Sequence, residues 1–143
     1  MDVLVDMAYG SFPAGRAGLA LLAFRAFVGG AFILHGLGRI HDLRGFAADH
    51  HISWGMGLAA KLTQLAGGAM LVLGLLTPLA AIGISTTMVV AAGILVRKGE
   101  RFINPGGHSW EGCAFYALAG IVIALLGPGR YSIDALLLDR LAS

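Results

Sequence analysis

Apolar positions dominate four stretches of this chain, about 17–35, 58–77, 78–96 and 111–127. Each has roughly the length a helix needs to cross the hydrocarbon core of a bilayer. A soluble helix shows a polar stripe opposite its apolar one. The run "GGAMLVLGLLTPLAAIGISTTMVVAAGILV" shows none. Pro78 stops the second segment and fits the first turn of the third, which predicts a tight helical hairpin. "GPGRYSID" is another strong stop after the fourth. The expected fold class is all-α: a four-helix transmembrane bundle, up-down-up-down, forming a single integral membrane domain over residues 1–143.

Polar residues gather in the connections. "GLGRIHDLRGFAADHHISWGMG" sets Phe46, Ile52, Trp54 and Met56 among charges, the pattern of a short amphipathic segment lying in the membrane interface between the first two helices. "RKGERFINPGGHSWEG" is basic and then turn-forming. The loops on one side hold Arg39, Arg44, Arg97, Lys98 and Arg101, against Arg16, Arg130 and Arg140 on the other. The excess of positive charge inside then puts both termini outside the cytoplasm. The acidic residues of "MDVLVDMAYGSFPAGR" argue against a cleavable signal ahead of the first apolar run.

Composition sharpens this picture. Of the 143 residues 57% are hydrophobic and 13% charged, against about 25% charged in a soluble domain. A net charge of +2 gives no case for nucleic acid. The single cysteine, Cys113, forms no internal disulfide and no dithiol pair, and reads as a small packing residue.

The residue that needs a reason is Arg25, near the middle of the first segment. A lone guanidinium at the bilayer centre costs roughly 2.5–3.5 kcal/mol on insertion scales. Depth can be counted at about 1.5 Å per residue from the face that bears the termini. By that count Arg25, Gln64, Thr86 or Thr87, and Tyr116 share one polar layer. Lys61 and Glu111 match in a second layer nearer the opposite face, with His35 and His108 on the same side. Arg25 is then a tie between helices or a fork of donors for a quinone carbonyl or a sulfur oxyanion. If its helix starts later, it snorkels to the interface. Lys61 and Glu111 are an ion pair or a proton relay. Ser132 or Asp134 caps a short final helix, or Asp134 reaches back to Arg25.

The five histidines show no metal-ligand spacing, and no metal site is predicted. Glycines 29, 30, 67, 68, 74 and 83 lie within the membrane segments, where small residues allow helices to approach closely. No phosphate loop is present.

These motifs together resemble the DoxX family of small four-helix bacterial membrane proteins. The resemblance rests on "FRAFVGGAFILHGLGRI", "KLTQLAGGAMLVLGLLTPLAA", "GHSWEGCAFYAL" and "GPGRYSIDALL", and covers about residues 20–138. It implies a four-helix bundle in the bacterial cytoplasmic membrane and an association with thiosulfate:quinone oxidoreductase subunits. The position of Gln64 is often acidic in such proteins. The neutral amide here removes a counter-charge from Arg25 and leaves it freer for an anionic ligand.

Three functions compete. The first is a membrane subunit of a quinone-linked, thiosulfate or sulfur, oxidoreductase system. Quinone would lie between the helices, held by Arg25, Gln64 and Tyr116, with Trp54, Trp110 and Phe115 shaping the entrance. No flavin, haem or iron–sulfur ligand pattern is visible, so electrons would come from a soluble redox or sulfur-handling partner. The second is a non-catalytic anchor or assembly partner for soluble redox proteins. The third is a small-anion carrier, for which four helices are few without homo-oligomerisation.

Overall fold

The computed structural model describes residues 12–38, 40–105 and 109–141. His108, assigned above to the second polar layer, lies outside the described residues, as does Arg39. The described chain is helical, with α1 (Gly15–Leu37), α2 (Leu43–Asp49), α3 (Trp54–Leu73), α4 (Thr77–Arg97), α5 (Glu111–Leu126) and α6 (Ile133–Leu141). α1, α3 and α4 are long and apolar enough to cross a membrane. α5 is apolar but shorter, at 16 residues. The second helix starts at Trp54 rather than 58, because Ser53 accepts from the Met56 N–H and caps it there. It ends at Leu73, where Gly74 turns left-handed.

α1 and α3 run antiparallel. Along the α1–α3 seam, Gly29 faces Gly68, Gly36 faces Leu65, and Lys61 reaches the carbonyl ends of α1. At Gly29 and Gly68 the two backbones touch. A Cβ on Gly29 would stand 2.5 Å from the Gly68 carbonyl oxygen, and one on Gly68 would stand 2.7 Å from that of Gly29. Neither carbonyl can yield without loosening its own helix. Gly68→Val is therefore expected to destabilise by about 1–3 kcal/mol, as overpacking does. SDS-titrated unfolding of the purified protein checks this. An unchanged midpoint would mean that the seam is looser than it looks.

α4 and α5 are joined by a side chain. Ser85 Oγ bonds the Ala81 carbonyl of its own helix at 2.9 Å and donates across to the Ala117 carbonyl at 3.0 Å. Gly120 leaves the room for it. The core between the helices is Val28, Phe32, Leu71, Ala80, Ala81, Ile84, Met88, Ala117, Ala119 and Ile123. Large apolar side chains point outward as well: Leu125 is 82% exposed, Leu34 71% and Phe27 67%. Such a surface suits lipid and not water, so the environment of these helices is a bilayer.

Two turns depart from regular helix. Within α3, Thr63–Gly67 forms a π-helical turn, which inserts an extra residue and swings the side chains that follow. Between α3 and α4, Gly74 (φ 68) and Leu76 (φ 46) both take the left-handed conformation. Glycine does so freely, whereas leucine is strained by about 1–3 kcal/mol unless its surroundings hold it.

Candidate functional site: a knot at Arg25 and a cleft at the π turn

Arg25 is 1% exposed. Its Nη2 donates to the Tyr131 carbonyl at 2.8 Å, and its Nη1 lies close against Gly74, where any Cβ would collide with it. Nε and Nη1 have no hydrogen-bond partner. Asp134 is near enough to interact with the guanidinium electrostatically, but the two do not touch. The Asp134 carboxylate accepts the Leu76 N–H at 2.7 Å and the Thr77 N–H at 2.8 Å. The Asp134 N–H in turn donates to the Gly74 carbonyl at 2.9 Å. The left-handed Leu76 is held by this clamp. Ser132 performs the capping of α6, with Oγ accepting the Ala135 N–H at 3.1 Å and donating to the Gly129 carbonyl at 2.7 Å. Asp134 thus caps α4 rather than the helix in which it sits.

The single polar layer expected from depth counting does not form. Cα–Cβ bonds tilt toward the N-terminus of their own helix. On α1 that tilt carries Arg25 toward the end where Gly74 and Tyr131 lie. On the antiparallel α3 it carries Gln64 the opposite way. Equal backbone depth therefore becomes divergent side chains, and Arg25 meets the hairpin turn in place of Gln64. The second layer changes too. Lys61 does not pair with Glu111: its Nζ donates to the His35 carbonyl at 2.9 Å and the Gly38 carbonyl at 2.8 Å, and stands 4.6 Å above the Phe46 ring. Glu111 is exposed in the first turn of α5. Tyr116 packs its ring against Phe32 at 5.3 Å and His35 at 6.2 Å.

What the structure does bring together is His35, Lys61, Gln64, Thr86 and Thr87. They line a cleft of about 390 Å³ between α3 and α4, roofed by Phe46 of α2 and His50 at its C-cap and walled by Met56, Met88, Val90 and Ile94. The π turn places Gln64 in this wall. Its side chain is buried, and its Oε1 has no hydrogen-bond partner. Thr86 and Thr87 donate to the Ile82 and Gly83 carbonyls of their own helix, both at 2.9 Å, and keep acceptor capacity. The aromatic roof is Phe46, stacked 4.4 Å from His50. The expected entrance residues are elsewhere. Trp54 is exposed, Trp110 packs on Phe102 at 4.5 Å, and Phe115 faces outward. The sequence marks Phe46 only as part of an interfacial segment and gives His50 no role, although their i, i+4 spacing places them on one face. An apolar cleft with a few converging polar groups is the usual form of a small-molecule site.

Neither the curated proteins nor the solved structures contain a match to this chain. A family model described as DoxX matches residues 20–97, more than half of the sequence. That stretch takes in α1, the α2 roof, the π turn and α4, which are the elements that build the cleft. With three helices able to span a bilayer and leucines facing lipid, the chain is an integral membrane protein and belongs to the DoxX family.

Proposed function

We propose that the chain is the membrane subunit of a quinone-linked oxidoreductase system and holds its quinone head in the α3–α4 cleft. The observation that carries this reading is Gln64, a buried amide with an unpaired oxygen at the base of an apolar cleft. An amide offers both a donor and an acceptor, and leaving one of its atoms unpaired in a buried site costs about 1–3 kcal/mol. A ligand with a polar head and an apolar body fits those walls. Electrons come from a soluble partner of the redox or sulfur-handling kind, consistent with the family resemblance. In this reading α1, α3, α4 and the shorter α5 form an up-down-up-down bundle in a bacterial cytoplasmic membrane, with the termini outside the cytoplasm.

Solvent extraction of the purified protein, followed by mass spectrometry, is the test. Stoichiometric quinone is expected in the native chain and a loss of most of it in Gln64→Leu, which keeps the volume and removes the amide. A well-folded native chain without quinone would sink the reading. One observation favours a second reading, a non-catalytic anchor for soluble redox proteins: the visible partners of Arg25 are all structural. On that reading quinone is absent from both proteins.

A further inference from the structure

The cleft carries two histidines whose tautomers are fixed by the backbone. His35 Nδ1 lies 2.9 Å from the Ala31 carbonyl oxygen, and His50 Nδ1 lies 2.9 Å from the Phe46 carbonyl oxygen. A carbonyl oxygen only accepts, so in each neutral ring the proton is on Nδ1. Nε2 is left with its lone pair, and neither Nε2 has a partner among the described residues. Both residues line the cleft, one from α1 and one from the C-cap of α2. Lys61 beside them spends hydrogens on the His35 and Gly38 carbonyls. The head-group end of the cleft is therefore rich in acceptors, and Gln64 Oε1 adds another.

We infer that this cleft selects the reduced, dihydroxy form of its ligand, a hydroquinone, over the oxidised quinone. The inference rests on the reading of the cleft as a quinone site. A hydroquinone brings two O–H donors to the two imidazole lone pairs. A quinone brings carbonyl lone pairs to the same places, where acceptor faces acceptor. Protonation reverses the preference, because an imidazolium Nε2 becomes a donor and suits a carbonyl. Several groups among the described residues face the two rings. His35 meets Lys61 of α3 at its carbonyl and the Tyr116 ring of α5. His50 meets Phe46 of α2, and Lys98 of α4 donates to the adjacent Asp49 carbonyl.

The experiment measures affinities of the full chain in lipid nanodiscs for a short-chain benzoquinone and for its hydroquinone, under anaerobic conditions, in mildly alkaline and mildly acidic buffer. In alkaline buffer the hydroquinone is expected to bind roughly tenfold tighter, the effect of one or two net hydrogen bonds. The ratio should shrink or invert on acidification. His35→Leu with His50→Leu should abolish the advantage. His35→Gln with His50→Gln, whose amides can turn either oxygen or NH2 to the ligand and do not titrate, should narrow the advantage and lose its pH dependence. Equal or tighter binding of the quinone in alkaline buffer overturns this inference and leaves the quinone site standing. Binding of neither form by folded protein overturns both.

Discussion

Asp134→Ala is expected to lower the stability of the protein by about 3–5 kcal/mol, the range found when one member of a buried, charge-assisted arrangement is removed. Asp134 is 4% exposed, and its two oxygens are the acceptors for the Leu76 and Thr77 N–H groups at the start of α4. Those are among the four amides that a helix cannot satisfy for itself, and the carboxylate also faces the positive end of the helix dipole. Removing it leaves the Thr77 amide buried with no acceptor and releases a leucine held at φ 46. Asp134→Asn keeps one acceptor oxygen and presents an NH2 to the other amide, so roughly half the loss is expected. SDS-titrated unfolding, with proteolysis at the hairpin as a second readout, checks both values. If Asp134→Ala unfolds at the native midpoint, the cap is supplied by solvent and the clamp is not what holds the turn.

Arg25→Ala is expected to cost about 2–5 kcal/mol, chiefly through the cavity left by a fully buried side chain. Arg25→Met fills most of that space without a charge. It loses the bond to Tyr131 but also removes two buried nitrogens, Nε and Nη1, that have no partner. Less than half of the alanine loss is therefore expected for methionine, since apolar replacements of buried charges are often near neutral. The quinone content of Arg25→Met should equal that of the native chain. If methionine is as damaging as alanine, the charge and not the stem holds the knot. If folded Arg25→Met loses its quinone, the arginine returns to the role of ligand. A double-mutant cycle with Asp134→Ala measures their electrostatic coupling directly.

Much of the architecture was legible because it depends on local pattern. The first apolar segment was expected at about 17–35 and is Gly15–Leu37, and the last was expected at 111–127 and is Glu111–Leu126. Pro78 lies in the first turn of α4 as its chemistry requires. The interfacial segment became α2, yet its function as the roof of the cleft depends on contacts with α3 and α4 that spacing does not encode. Depth counting treated residues as points on an axis. It lost the tilt of side chains toward helix N-termini, and so it joined Arg25 to Gln64 and Lys61 to Glu111. The π turn left little trace, since Gly67 and Gly68 read as a packing pair and nothing in "KLTQLAGG" marks an inserted residue. Asp134 bonds amides 57 and 58 positions away. A sequence read one helix at a time offered only its own helix, or Arg25, as its target.

A ribosome delivers Asp134 after the hairpin it clamps. While the nascent chain inserts, α3 and α4 are already in the bilayer, joined by a leucine in a strained conformation and an amide without an acceptor. The pair can form at this stage but has nothing to lock it. Emergence of the segment after α5 brings Tyr131 to Arg25 and the carboxylate to the turn in one event. The segment after α5 thus acts as a latch that closes on a hairpin made before it.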